Sequence, residues 1–430
     1  LLKSIREYRN LHVDRTPWAA AEHILDPFLE HLRAAKGIDQ LAPAGSFRRC
    51  RETIGDLDIL ATVTGDPAAV ITHFVRYPRV VEVLAEGDTK ASVVLKEKLQ
   101  VDLRVVETDA FGAALQYFTG SKEHNVALRS RAKDGGLKVS EYGVFRGDSR
   151  IAGKSEEDVY AALGLEWIPP ELRENRGEID AAADHKLPKL VTLEDIKGDL
   201  HAHSTYTDGT ASIAEMAAAA RKRGYSYLAI TDHSKAVTIA HGLDAKRVRQ
   251  QLEEIKAVRA TLKGFHLLSG IEVDILGDGS LDLPDDVLAE LDWVVASVHS
   301  KFDLDEAAMT KRIIRALGNP HVNCIGHPTG RLIGQRGEYR VDLHAVIKAA
   351  AAHHTALEIN AAPERLDLND HYAYLAREAG VPLAISTDAH HPASFSDARY
   401  GINMARRAWC TARDILNAWP WETFSKWLHK

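Results

Sequence analysis

From about residue 195, short apolar runs alternate regularly with amphipathic or alanine-rich runs of roughly 10–20 residues. Seven apolar runs follow this rhythm: "IKGDLHAH", "YSYLAITDH", "HLLSGIEVDIL", "LDWVVASVHS", "VNCIGHP", "TALEINA" and "PLAISTDAH". Strands separated by helices of that length pair in parallel. The second half of the chain is therefore predicted to be an α/β unit, a (β/α)7 barrel one strand short of the usual eight.

Six of the seven predicted strands deliver a residue that can bind a metal. These residues are His201, His203 and Asp208 at the first strand, His233 at the second, Glu272 at the third, His299 at the fourth, His327 at the fifth, and Asp388 and His390 at the seventh. The carboxyl ends of barrel strands form one active face, so these side chains are expected to meet there. A single histidine at a strand end is usually structural, but this set predicts a metal centre. Imidazole and carboxylate donors suit Zn²⁺, Mn²⁺ or Fe²⁺, and so many ligands imply two or three ions, with Glu272 as a candidate bridge.

The motifs "DLHAHSTYTDG", "ITDHS", "GIEVDIL", "SVHS", "GHP" and "STDAH" resemble those of the PHP (polymerase and histidinol phosphatase) family across about residues 195–430. The resemblance implies a distorted seven-stranded barrel with a trinuclear, phosphoester-hydrolysing metal site. It implies that His201, His203, Glu272 and Asp388 hold one ion, that Glu272, His299 and His327 hold a second, and that Asp208, His233 and His390 hold a third. Arg331 and Arg365 follow strand ends and are candidates for contact with phosphate, with a role as ordinary surface arginines weighed equally.

The first half of the chain carries a second dense motif, "AGSFRRCRETIGDLDIL" at residues 44–60. Asp56 and Asp58 flank Leu57 on a predicted strand, so their carboxylates share a face. Asp102 lies on a later predicted strand, and three carboxylates could hold two Mg²⁺ ions. Gly45 and Ser46 open a turn whose N–H groups can meet phosphate, and Arg49 adds a fixed charge.

These residues, with "YFTGSKEHN", "GLKVSEYGVF" and "GLEWIPPELRENRGEI", resemble the family X DNA polymerases over about residues 40–180. The resemblance implies a mixed α+β nucleotidyltransferase palm and thumb, with Asp56, Asp58 and Asp102 as the catalytic residues binding Mg²⁺ or Mn²⁺. It implies nucleotide binding by Gly45, Ser46, Arg49, Gly55, Tyr117, Phe118, Gly120 and Asn125, and DNA binding by Arg129. A palm followed by a PHP barrel is similar to bacterial family X polymerases that carry a 3′–5′ exonuclease. Compared with them, the chain is expected to lack the N-terminal helix-hairpin-helix region.

The expected domains are 1–40, a remnant of the fingers helices; 41–120, the palm; 121–180, the thumb; 181–196, a linker; and 197–430, the PHP domain. The chain has 430 residues, a net charge of -7 and 3 separated cysteines, and it shows no membrane-spanning run, which favours a cytoplasmic protein without disulfides. The expected function is a DNA repair enzyme, acting as a monomer on primer–template or gapped DNA with dNTPs. Its barrel is expected to remove nucleotides from a 3′ end and to be a candidate for cutting at abasic sites. Two alternatives stay open, a small-molecule phosphatase with an idle palm and a non-catalytic DNA-binding module.

Overall fold

The computed structural model describes residues 15–428, and the chain divides into two units between Leu187 and Pro188. The first unit is built on a mixed five-stranded sheet that carries the acidic motif, and the second on a parallel seven-stranded sheet that carries the histidines. The predicted fold class, an α+β palm and thumb followed by a seven-stranded barrel, is confirmed.

The strands of the first unit are β1 (Thr16–Pro17), β2 (Ile38–Pro43), β3 (Thr53–Ile54), β4 (Asp56–Val63), β5 (Val80–Glu86), β6 (Lys90–Leu95), β7 (Gln100–Val105), β8 (Lys138–Ser140), β9 (Gly143–Arg146) and β10 (Ser149–Ala152). Its helices are α1 (Trp18–Arg33), α2 (Gly45–Arg48), α3 (Pro67–Val75), α4 (Phe111–Thr119), α5 (Lys122–Asp134), α6 (Glu156–Ala162) and α7 (Glu178–Ala183). The main sheet has the order β2-β4-β7-β6-β5, and β8, β9 and β10 form a separate three-stranded antiparallel sheet.

Strand β4 separates the core of the first unit from its acidic face. Leu57, Ile59 and Ala61 are buried in the cluster formed with α1 and α3. Because strand side chains alternate between faces, Asp56 and Asp58 point away from that core. Strands β4 and β7 pair in parallel, with Asp58 directly opposite Asp102. The register of two strands therefore brings the three carboxylates together.

The seven strands of the second unit are β11 (Gly198–Asp199), β12 (Tyr227–Ile230), β13 (His266–Asp274), β14 (Trp293–Ser297), β15 (Cys324–Ile325), β16 (Ala356–Asn360) and β17 (Leu383–Ser386). They pair in parallel in chain order. The helices of this unit are α8 (Ile213–Lys222), α9 (Ala245–Thr261), α10 (Asp285–Leu288), α11 (Glu306–Leu317), α12 (Leu343–His353), α13 (Asp370–Glu378), α14 (Ala398–Arg407) and α15 (Trp421–Leu428).

The ring of strands is joined at its carboxyl-end rim. A parallel bridge connects Ala202, after β11, with Ala389, after β17. The His203 N–H donates to the Ala389 carbonyl at 2.9 Å, and the Ala389 N–H donates to the His201 carbonyl at 3.3 Å. The two ends of the barrel sheet thus meet at the residues that carry candidate ligands.

The first barrel strand is much shorter than predicted. The sequence predicts one strand through His203, whereas β11 ends at Asp199. The Asp199 carboxylate accepts the His201 N–H at 3.0 Å, and the Thr231 hydroxyl accepts the Ala202 N–H at 3.0 Å. Side chains have taken the place of strand neighbours as acceptors, which interrupts the ladder just before the histidines.

The sequence "RDILNAWPWETFSKWLHK", residues 413–430, predicts a helix, whereas the described residues of this segment are helical only in part. Helix α15 begins at Trp421, directly after Pro420, since proline cannot continue a helix from its preceding residue. Trp421 and Trp427 pack against the buried cluster that contains Trp293 and Phe424, which confirms a packing role for these tryptophans. None of the helices between residues 15 and 428 is both long and apolar enough to cross a membrane.

Candidate functional site

The acidic site of the first unit concentrates negative charge. Burial, Asp56 and Asp102 raise the pKa of Asp58 to about 7, and Arg104 and Arg49 oppose this rise. Burial and Asp102 also raise the pKa of Asp56. Because the carboxylates resist ionising side by side, a divalent cation that neutralises them would bind here favourably.

The turn at Gly45 lies directly against this site. Gly45 has φ +61°, and a Cβ on it would stand 2.4 Å from the Asp58 Oδ2 atom. Only glycine fits both the left-handed backbone and this close approach. Gly45 opens the short helix α2, of which Ser46 is the second residue, and the preceding Ala44 N–H donates to the Asp58 carbonyl at 2.8 Å. On the other side of the motif, Gly55 lies just before β4.

The adjacent arginines of the motif, Arg48 and Arg49, are tied to residues that lie later in the same unit. Arg49 donates from Nε to Glu174 at 3.0 Å and from Nη1 to the Thr119 carbonyl at 2.7 Å. Arg48 donates from both terminal nitrogens to Glu156, at 2.7 and 2.8 Å. Sequence reasoning assigned no role to Arg48 or to its partner, because acidic residues are common in the first turn of a helix, where Glu156 lies.

Glu156 is the centre of a buried ionic network. Its carboxylate is 4% exposed and receives Arg48, the fully buried Arg173 and the indole N–H of Trp167. Burial works against ionisation of Glu156, but Arg48 and Arg173 lower its pKa from 4.5 to about 2. The network joins helix α2 to helix α6 through ion pairs.

The last turn of α4 carries the aromatic pair Tyr117 and Phe118, and the turn after it begins at Gly120. Tyr117 and Phe118 meet edge to face at 5.2 Å, with the Arg129 guanidinium 6.0 Å from the Tyr117 ring. Asn125 donates to the Tyr117 carbonyl at 2.6 Å and to the Gly120 carbonyl at 3.2 Å. The Asn125 amide therefore holds the turn together, and Arg129 is exposed at its edge.

In the second unit all nine predicted ligands converge on the carboxyl-end rim of the barrel. Three groups have donor atoms close enough to share an ion: His203, Asp208, His233 and His390; His201, His203 and Asp388; and His233, Glu272 and His299. His327 joins the last group through its Nε2, which lies 2.9 Å from Glu272. The predicted ligands are thus brought together, although His203 and His233 each stand within reach of two groups instead of one.

Glu272 stands at the centre of the cluster. Its two oxygens lie 2.8 to 3.8 Å from nitrogens of five histidines: His201, His203, His233, His299 and His327. Burial opposes ionisation of Glu272, yet the facing histidines hold its pKa well below its usual range. A carboxylate with two such oxygens can bridge two ions.

The histidines themselves fit a metal centre. Burial, His233 and His390 lower the pKa of His203 to about 3, which keeps its imidazole in the neutral form that binds metals. Among the described residues no hydrogen-bond partner is aligned with His201 Nε2, His203 Nδ1 or His327 Nδ1, all of which are buried. Buried polar atoms without partners are costly in a protein interior, and a bound cation would satisfy them.

Asp208 reaches the cluster from the loop after β11. Its oxygens lie 3.5 Å from His233 Nε2 and 3.3 Å from His390 Nε2. The next residue, Gly209, packs directly against the backbone of His203, where a Cβ would stand only 2.7 Å away. The glycine therefore allows the loop to return close to the cluster. Asp208 and His390 are the more accessible members of the cluster, at 37% and 38% side-chain exposure.

The two arginines considered for phosphate differ in their surroundings. Arg331 is 7% exposed and donates to the Arg365 carbonyl at 2.9 Å, so it is not a surface arginine. Arg365 directs Nε to the ligand Asp388 at 3.5 Å. Arg365 thus stands at the edge of the cluster, whereas Arg331 braces the segment that carries it.

Sequence reasoning missed two buried carboxylates behind the ligands. Glu358, on β16, lies 2.7 Å from His201 Nδ1, and Asp274, on β13, lies 3.3 Å from His299 Nδ1. The signal for Glu358 was present, since a charged residue interrupts the apolar run "TALEINA". This signal is weak, because the run contains a single acidic residue and no histidine that would mark a metal site.

Comparison with known proteins matches both units. The family model described as DNA polymerase beta thumb matches residues 114–174, and the one described as PHP domain matches residues 199–362. The chain is 45% identical over 409 residues to the DNA polymerase/3′-5′ exonuclease PolX of Bacillus subtilis (strain 168), covering 94% of this chain and 71% of that protein. The chain belongs to the PolX family.

Other relatives share less with this PolX chain. Proteins named probable phosphatase from Thermoanaerobacter sp. (strain X514) and Syntrophotalea carbinolica are 32% and 28% identical to it. Each alignment covers 51% of this chain and about nine-tenths of the relative. The B. subtilis PolX, by contrast, shares nearly the whole chain, so the combination of two units is the feature that the PolX relative has in common with it.

Proposed function

We propose that this PolX chain extends a DNA primer at the acidic site of its first unit and removes nucleotides from a DNA 3′ end at the rim of its barrel. The observation that carries the proposal is the presence of two different ligand sets in one chain, carboxylates alone in one unit and histidines with carboxylates in the other. Similarity to a relative named for both activities supports the same division.

In the first unit, Asp56, Asp58 and Asp102 are proposed to hold Mg²⁺ or Mn²⁺. When bound, such ions align a primer 3′-hydroxyl with an incoming triphosphate and neutralise its charge. The backbone at Gly45, with Ser46, Arg49 and Gly55, is proposed to bind the triphosphate. The position of Gly45 against Asp58 supports this role, since a phosphate at the turn would lie beside the carboxylates.

The end of α4, together with the turn and the helix that follow it, is proposed to hold the nucleotide and the template. Tyr117, Phe118 and Gly120 would form the wall against the sugar, with Asn125 near the base pair and Arg129 near the template strand. The exposed guanidinium of Arg129 beside the Tyr117 ring supports a contact with the DNA backbone. The substrates proposed are primer–template or gapped DNA and dNTPs.

In the barrel, the nine rim residues are proposed to hold two or three Zn²⁺, Mn²⁺ or Fe²⁺ ions in the ligand sets that the PHP resemblance implies. When bound, such ions clamp the attacking and leaving oxygens of a phosphodiester and lower the pKa of water. Glu272 would bridge two of the ions, and Arg365 would meet the phosphate from the edge of the cluster. Buried nitrogens of His201, His203 and His327 have no hydrogen-bond partner among residues 15–428, which supports this assignment.

A primer assay with matched variants tests the division. Purified chain is incubated with a 5′-labelled primer–template and Mn²⁺, with and without dNTPs. Asp58→Asn is expected to abolish lengthening and to leave shortening intact, while His201→Asn is expected to do the reverse. Asp109→Asn and His353→Asn, which change exposed residues of the first and second unit, are the matched controls.

The outcomes separate the proposed function from its rivals. Loss of both activities in either variant, with the fold intact, would contradict the division into two sites. A wild-type chain that neither lengthens nor shortens the primer, but hydrolyses a phosphomonoester, would instead favour the phosphatase activity named for the shorter relatives.

A further inference from the structure

Strand β16 contributes no residue to the three candidate ion-binding groups, yet it places two buried polar side chains directly behind them. Glu358 is 1% exposed and Asn360 is fully buried. Glu358 Oε1 lies 2.7 Å from His201 Nδ1, and Glu358 Oε2 accepts the His327 backbone N–H at 2.7 Å. One carboxylate therefore contacts ligands that come from the first and the fifth strand.

The contact with His201 determines which ring nitrogen faces the cluster. Glu358 Oε2 already accepts N–H groups of His327 and Asn360, so we assign the carboxylate as the acceptor and His201 Nδ1 as the donor of the hydrogen bond between them. The lone pair of His201 is then on Nε2, which lies 3.5 Å from Glu272 and 3.7 Å from Asp388. Glu358 thus presents the metal-binding nitrogen of His201 toward the other ligands.

The contact with His327 acts on the backbone. His327 has φ +28°, an uncommon conformation for a residue with a side chain. Its N–H is held by Glu358, and its Nε2 lies 2.9 Å from Glu272. The hydrogen bond to Glu358 therefore fixes the strained peptide from which this imidazole projects.

Asn360 extends the same support to the seventh strand. Its Nδ2 donates to Glu358 at 3.2 Å and to Asp388 Oδ2 at 3.1 Å, while its Oδ1 accepts the Ala362 N–H at 3.0 Å. The bond to Ala362 fixes which way the amide faces. The other oxygen, Asp388 Oδ1, then faces His203 and lies 3.1 Å from its Nε2.

We propose that Glu358, supported by Asn360, is a positioning residue that holds His201, His327 and Asp388 ready for the ions of the barrel. The inference rests on the proposed metal centre and adds residues that its ligand sets do not contain. Glu358 does not act as a ligand, because both of its oxygens are already directed at N–H donors. Partners behind ligands of this kind typically change metal affinity by 10- to 100-fold.

Glu358→Gln tests the proposal with little change in side-chain size. Glutamine has one acceptor oxygen, whereas three donors now use the carboxylate. If the glutamine oxygen faces His327 and Asn360, its NH₂ faces His201 and forces the proton onto Nε2, which blocks metal binding. The matched control is Asp367→Asn, which changes another buried carboxylate, one that accepts from Thr329 and contacts no proposed ligand side chain.

The readout is metal binding, measured by equilibrium dialysis of the full chain against Mn²⁺ or Zn²⁺ alone, with the bound metal counted by mass spectrometry. Glu358→Gln is expected to bind at least one ion fewer per chain at a concentration that saturates the wild type, or to bind at least tenfold more weakly. Asp367→Asn is expected to match the wild type within twofold. Primer extension by the first unit is expected to be unchanged in both variants.

If Glu358→Gln binds metal with an affinity and stoichiometry within twofold of the wild type, the positioning role is overturned but the proposed metal centre is not. A wild-type chain that binds no ion would overturn both the positioning role and the metal centre. A crystal of the wild-type chain soaked in Zn²⁺ covers the case in which the variant fails to fold. There, Zn²⁺ on His201 Nε2 with Glu358 hydrogen-bonded to Nδ1 is the expected result. Zn²⁺ bonded directly to Glu358 would overturn the positioning role.

Discussion

Glu156→Gln is expected to destabilise the first unit by about 3 kcal/mol at neutral pH. The surroundings of Glu156 lower its pKa from 4.5 to about 2. At about 1.4 kcal/mol for each pKa unit, this difference corresponds to about 3 kcal/mol of preference for the ionised carboxylate in the folded state. Glutamine is uncharged and has a single acceptor oxygen, so it removes the carboxylate partner that Arg48 and the buried Arg173 now share.

The same linkage predicts how stability depends on pH. A carboxylate whose pKa is lowered by folding stabilises the protein above its unfolded value and loses that contribution as the pH falls through its folded value. The contribution of Glu156 is therefore complete above pH 4.5 and is lost as the pH falls toward 2. Glu156→Gln is expected to remove this part of the acid dependence as well as the stability at pH 7.

Hydrogen exchange measured by mass spectrometry on peptides across α2 and α6 would follow the first unit separately from the barrel. A loss of about 3 kcal/mol corresponds to roughly hundredfold faster exchange through opening of the unit. Glu157→Gln, which changes the exposed neighbour on the same helix, is the control and is expected to change stability by less than about 0.5 kcal/mol. A Glu156→Gln protein within about 1 kcal/mol of the wild type would refute the argument.

Three further predictions concern the two sites. Because burial and the neighbouring carboxylates raise the pKa of Asp58 to about 7, its ionised fraction rises from roughly a tenth at pH 6 to roughly nine-tenths at pH 8. Mg²⁺ binding to the first unit, measured by calorimetry, is therefore expected to tighten roughly tenfold over that range. An affinity that does not change between pH 6 and pH 8 would contradict the raised pKa of Asp58. Gly45→Ala is expected to slow nucleotide incorporation at least about tenfold in the primer assay without changing 3′ hydrolysis, since the new Cβ would collide with Asp58. Removing metal with a chelator is expected to abolish 3′ hydrolysis and to lower the unfolding temperature of the barrel. Mn²⁺ at about 100 times its Kd is expected to raise the free energy of unfolding again by about 2.7 kcal/mol. An unfolding temperature that does not change with Mn²⁺ would contradict the proposed metal centre.

The sequence was sufficient for the parts of the fold that depend on periodicity. Alternating apolar strands and helices in the second half predicted seven parallel strands, and the structure has them in chain order. The spacing of Asp56 and Asp58 predicted a shared face because strand side chains repeat every second residue, and both residues lie on β4. Such patterns are local, and they can be detected without knowing which strands are neighbours.

The contacts behind the ligands could not be predicted in the same way. Glu358 meets His201 across a long sequence separation, and no local pattern indicates that a glutamate in one strand accepts from a histidine in another. The early end of β11 has a similar origin, since the Asp199 and Thr231 side chains take bonds that a ladder would otherwise provide. Ionic partners such as Glu156 and Arg48 likewise depend on how helices are packed rather than on their own sequence.

The two sets of candidate ligands also differ in how much of the chain must be synthesised before each can come together. The carboxylates of the first unit come from two neighbouring strands of one sheet, between Asp56 and Asp102. The barrel cluster needs residues from His201 at its first strand to Asp388 and His390 after its last. On a growing chain, where N-terminal domains fold first, the acidic site can assemble while the barrel is still being synthesised. During synthesis, the carboxylate cluster of the first unit can therefore form before the histidine cluster of the barrel.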